Sequence, residues 1–133
     1  MALTPATKTD VYDFRSKFGP LIEIYNIADF DTSGSEKVVA LIKVLGMDEF
    51  NVIYKNKSAA NAHTVKVYGT IRNDPPSAVS DAGMKELYSV SVALGTTSDP
   101  MAFTTKYVWI VITSNGTTET DIADIDVLVM GKN

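Results

Sequence analysis

The sequence predicts an all-β protein, a single-domain antiparallel β-sandwich of jelly-roll type. Three observations carry this expectation. Apolar and polar residues alternate with period two over most of the chain. Val, Ile, Thr and Tyr concentrate in those alternating runs, as they do in strands. Clusters of Gly, Pro, Asn and Asp punctuate the runs at short intervals.

Residues 1–9 are polar and proline-bearing and read as an N-terminal arm, with 10–133 as the sandwich domain. In "PLIEIYNIAD", Ile22, Ile24 and Ala28 share one face, and Leu21, Tyr25 and Ile27 the other. "EKVVALIKVLG" has enough valine, and ends soon enough at Gly46, to read as a strand rather than a helix. "EFNVIYKNK" and "HTVKVYGTIRN" follow, joined by a polar connection, and are expected to pair antiparallel. "NDPPSAVSDAG" is a loop, because proline removes backbone donors from a ladder. "ELYSVSVALG", "TTKYVWIVITSNG" and "DIADIDVLVMG" complete seven or eight strands, with a tight turn expected at Asn115-Gly116. The expected core is Val65, Val67, Ile71, Val90, Val92, Val108, Ile110 and Ile112.

Two late strands carry apolar residues on both faces. Tyr107, Trp109 and Val111 alternate with Val108, Ile110 and Ile112, while Asp126, Leu128 and Met130 lie opposite Ile125, Val127 and Val129. A sheet with one wet face shows polar residues there, so something is expected to cover both faces. Tyr107, Trp109, Val111, Leu128 and Met130 are therefore the candidate interface residues.

Composition narrows the function. A chain of 133 residues with 45% hydrophobic residues is long and apolar enough to bury a core. A net charge of −4 with scattered Lys and Arg argues against nucleic-acid binding, which needs clustered cations. No apolar run approaches the roughly 20 residues that span a bilayer as a helix, so no membrane partner is expected. The opening "MALTPATKTD" lacks the apolar stretch of a signal peptide, so export by that route is not expected. The absence of cysteine excludes disulfides and thiolate chemistry within these residues.

The segment "DFDTSGSE" spaces oxygen donors like a calcium loop. Asp29, Asp31, Ser33 and Gly34 match the opening positions, but Ala40 stands where a bidentate Glu should close the site. It reads instead as a corner whose Asp and Ser side chains cap their own backbone. His63 is the single histidine, expected at a strand start, partly exposed and without a catalytic task. Asp48, Glu49, Glu119, Asp121 and Asp124 are read as surface carboxylates, and Asp124 with Asp126 as guards of an exposed edge. With no assembled nucleophile, base or ligand set, neither enzymatic activity nor a cofactor is expected. The alternative function is a carbohydrate-binding module, which would need Trp109, Tyr107 or Tyr68 exposed as a stacking platform.

The segment "TTKYVWIVITSNGTTETDIADIDVLVMGK" resembles the closing hairpin of small β-sandwich virion proteins of tailed phages, and "NKSAANAHTVKVYGTIRND" resembles their middle hairpin. Such proteins are auxiliary, decoration or cement subunits of capsids, or parts of tails, and have no catalytic residues to carry over. The resemblance implies a homo-oligomer located in the virion, with a major capsid protein or another virion protein as partner.

Overall fold

The computed structural model describes residues 2–13, 21–104, 106–117 and 121–131. Among the described residues it contains nine strands and no helix. They are β1 (Asp10–Asp13), β2 (Leu21–Asp31), β3 (Lys37–Lys43), β4 (Glu49–Asn56), β5 (His63–Thr70), β6 (Lys85–Val92), β7 (Met101–Thr104), β8 (Trp109–Asn115) and β9 (Ile122–Gly131). A five-stranded sheet in the order β1-β2-β9-β4-β7 packs on a four-stranded sheet in the order β3-β8-β5-β6. Every pairing is antiparallel. The protein is an all-β sandwich.

The pairings are nested: β2 with β9, β3 with β8, β4 with β7, and β5 with β6. Two sequence expectations fail because of this wrapping. β4 and β5 do not pair, since the connection between them crosses from one sheet to the other. The Asn115-Gly116 turn likewise joins β8 in one sheet to β9 in the other, so it closes no hairpin. Local alternation finds strands but is silent on which sheet each one joins.

The main core lies between the sheets. Tyr25, Phe50, Val52, Tyr54, Ile125 and Val127 from one layer meet Ile42, Val65, Val67, Ile110 and Ile112 from the other. Of the expected core, Val65, Val67, Val92, Ile110 and Ile112 are buried, and Val90 and Val108 are half-buried. Ile71 is a correction: it is 74% exposed, because β5 ends at Thr70 and the chain leaves the sheet.

A second, smaller core covers the outer face of the four-stranded sheet. Leu41, Trp109 and Val111 are buried there under Leu3, Val79 and Met84. Residues 2–9 form a strap across this side of the sandwich. Leu3 N–H donates to Pro76 O at 3.0 Å, Ala6 N–H to Leu41 O at 2.7 Å, and Thr9 N–H to Ile24 O at 2.7 Å. Lys8 pairs with the nearly buried Glu23 at 3.1 Å, which also accepts from the Tyr25 hydroxyl. The proline-bearing loop of residues 71–84 supplies the rest of the cover, and Trp109 Nε1–H donates to Asn73 O at 3.1 Å.

Candidate functional site

The outer face of the five-stranded sheet is built differently. The register of β1, β2, β9 and β4 lines up Tyr12, Ile22, Met130 and Glu49 in one row, and Asp10, Ile24, Leu128 and Asn51 in the next. Asn26, Asp126 and Ile53 form a third. Because paired residues of an antiparallel ladder share a face, these side chains all point away from the core. Tyr12 and Ile53 are exposed, and Ile22, Ile24, Leu128 and Met130 are half-buried. A shallow hollow of about 430 Å³ is lined by Ile24, Ile53, Pro100, Val127 and Leu128 with Asn26, Asn51 and Asp126 at its rim. Asn26 Nδ2–H donates to Asp126 Oδ1 at 2.8 Å, fixing one side of that rim.

The five candidate interface residues therefore separate. Leu128 and Met130 lie on this face, which no described segment covers. Trp109 and Val111 are instead buried under the strap and the 71–84 loop, and lie on no exposed face. Tyr107 is half-buried against the main core, its ring lying over Gly69 so closely that a Cβ there would come within 2.8 Å. The sugar platform is not formed either: Trp109 is buried, and Tyr68 packs on the second core with its hydroxyl bonded to Glu36 at 3.0 Å. The residues missed by sequence reading are Ile22, Ile24 and Ile53, whose outward orientation follows only from the register.

A buried polar cluster sits at one end of the sandwich. His63 opens β5 but is fully buried rather than partly exposed, because three connections fold over it. Its Nδ1 lies 2.9 Å from the Tyr54 hydroxyl, which also bonds Ser114 Oγ. Its Nε2 lies 3.4 Å from Thr32 Oγ1 and 3.8 Å from Asp121 Oδ2. Asp121 accepts from Ser58 Oγ at 2.8 Å and from Thr117 N–H at 2.6 Å. Gly116 is required beside it, since a Cβ there would overlap the carboxylate. Asp121, expected on the surface, is thus a buried fastener of the β4–β5 and β8–β9 connections. Burial pushes the His63 imidazole below its ordinary pKa, with the Asp121 carboxylate working against that shift. Burial likewise raises the Tyr54 hydroxyl to about 12. His63, Ser114 and Asp121 are at most 1% exposed.

The loop of residues 29–36 turns as a corner. Asp31 Oδ1 accepts from Ser33 N–H at 2.9 Å and from Ser33 Oγ at 2.6 Å, which holds its carboxyl below the usual range. Lys57 bridges Asp29 and Asp124. Asp124 and Asp126 guard no edge, because β9 is interior to its sheet. Glu119 lies outside the described residues.

No protein-family model and no curated protein matches the chain in sequence. Its fold is similar to that of a solved Bacillus endospore appendage, described as belonging to a family of disulfide-linked pili. That structure has a TM-score of 0.59 at 10% identity, covering 99% of this chain and 98% of the other. A Nora virus structure aligns with a TM-score of 0.39 at 10% identity, covering 99% of this chain and 62% of the other. At 10% identity the likeness to the appendage is one of fold. The 133 residues contain no cysteine, so the disulfide linkage in the appendage's description has no counterpart among them.

Proposed function

We propose that this chain is a non-catalytic structural subunit of a larger assembly, an auxiliary capsid protein of the decoration or cement kind that docks on the shell of a virion and self-associates. The observation that carries this reading is the uncovered apolar face around Ile24, Ile53, Leu128 and Met130. Its counterpart on the other sheet is covered by the chain's own strap and loop, whereas no described segment crosses this one. A contiguous apolar face rimmed by Asp10, Glu49, Asn26, Asn51 and Asp126 has the anatomy of a protein contact: apolar at the centre, polar at the edge. The nested strand pairing supports the jelly-roll form of the sandwich, in which β2 to β9 wrap as one long rolled hairpin.

The reading includes no enzymatic activity, and the burial of the polar cluster supports that part of it. The one histidine and its carboxylate are spent on fastening loops inside the protein, away from any opening. Many copies docking by a modest face add up to firm attachment through avidity. The test is gradient sedimentation of lysate from infected host cells. The reading expects the chain to migrate with high-mass particles and to be released from them as discrete subunits on mild denaturation. A chain found only at the top of the gradient, with no particle-bound fraction, contradicts it.

A further inference from the structure

The lateral edges of the sandwich are treated unequally. The edge of β3 receives the strap at Leu41, and β1 is a four-residue strand that begins with the charged Asp10. β6 is an eight-residue edge strand, and between Leu87 and Leu94 it carries neither proline nor charge. Natural edges are blunted by such residues, so a long neutral edge is a place where another strand adds.

The hydrogen-bond pattern identifies which residues offer the edge. The Leu41 carbonyl accepts from Ala6, so Leu41 directs its backbone groups away from β8. Its partner Val111 must then face β5, making Tyr68·Val111 a narrow pair. Alternation along β5 turns Val67 and Val65 toward β6, where they pair with Tyr88 and Val90. Thr64 agrees, its N–H reaching Asn115 on the β8 side at 3.3 Å. Ser89 and Ser91 are therefore the β6 residues whose N–H and C=O groups point to the open edge. Their side chains are small, uncharged and exposed on the outer face, while Tyr88 and Val90 stay half-buried beside a groove of about 440 Å³.

We infer that β6 pairs with β6 of a second copy of this chain about a two-fold axis at Val90. A two-fold axis perpendicular to the sheet pairs residues that share a face. Centred on Val90, it sets Ser89 of each copy opposite Ser91 of the other, as two narrow pairs that each exchange both bonds. Val90 then meets Val90, and Tyr88 meets Val92, joining β-branched and aromatic side chains. Lys85 and Glu86 fall beyond the paired stretch, so no like charges meet, which matters in a chain of net charge −4. The two four-stranded sheets become one continuous sheet, and the outer face of the five-stranded sheet stays free to dock.

This contact rests on the assembly reading and supplies its self-association step. The experiment is sedimentation equilibrium of the purified chain with edge variants, each checked for unchanged circular dichroism. Wild type is expected to dimerise. Ser91→Pro removes an N–H that faces the edge and not β5, so it should leave the fold intact and abolish the dimer. Ser89→Lys with Ser91→Lys, and separately Ser89→Asp with Ser91→Asp, should each weaken self-association by roughly tenfold, since like charges are set directly opposite. An equimolar mixture of the two double variants should restore pairing as a heterodimer. A wild type that stays monomeric at every concentration overturns this contact. A dimer indifferent to residues 89 and 91 also overturns it, but leaves self-association, and with it the assembly reading, standing.

Discussion

The two outer faces of the sandwich began with the same sequence signal and ended differently. In β8, Trp109 and Val111 alternate with core residues, as Leu128 and Met130 do in β9. The first pair is buried under the chain's own strap and proline-bearing loop, and the second pair is left half-open on a bare face. Two apolar faces on a strand therefore say that a cover exists without saying whose it is. Where the chain has spare segments nearby, they supply the cover. Where no described segment lies over the face, it is available to a partner.

The comparison is broken most severely at Trp109. Trp109→Ala should cost about 3–5 kcal/mol of unfolding free energy, because it empties the centre of the second core. A chemical melt measures it. A loss near zero would mean that the strap does not pack there. Removing residues 2–8 should cost less, roughly 2 kcal/mol, by uncovering Leu41 and Val111, and should also strip Glu23 of Lys8. Increased binding of a hydrophobic dye, with the strands still folded, is the expected signature.

The polar end separates fold from docking through pH. The His63 pKa is depressed in the folded state, so the unfolded chain takes up the proton first. Stability should then fall as pH drops below about 6.5, the ordinary histidine value, by up to about 1.4 kcal/mol per pH unit until the folded form also protonates. The lowered carboxyls of Asp31, Asp124 and Asp81 in the 71–84 loop act in the same direction but in a lower window: their contribution is present above the ordinary carboxylate range and is lost as pH falls into stronger acid. Urea melts between pH 7 and 5 isolate the histidine. A His63→Gln variant should lose the slope in that window while keeping the strands.

The smallest effect on stability is expected on the bare face. Ile53→Glu should change unfolding free energy by no more than about 0.5 kcal/mol, since Ile53 is already exposed. A larger loss would mean that this face is part of the fold's own packing.

Much of this architecture was legible in the chain. Alternation located the long strands, and β-branched content correctly chose strand over helix for Lys37–Lys43. The short strands β1 and β7 escaped, because four residues are too few to show a period. The sheet to which β4 and β5 belong was not legible, since local pattern carries no information about crossing connections. His63 and Asp121 were misplaced at the surface because polar residues are usually there; only the convergence of three distant connections buries them. Leu128 and Met130 were found by their pattern, but Ile24 and Ile53 needed the register. Trp109 was read as a contact because the cover it finds comes from residues about 30 and 100 positions away, a distance no local pattern spans.

The most direct test of the account is Leu128→Glu followed through the same particle gradient as the wild type. A charge at the centre of the bare face should leave the melting temperature near that of the wild type and remove the chain from the particle fraction. A folded Leu128→Glu chain that still travels with the particles would contradict the claim that this face is the docking surface.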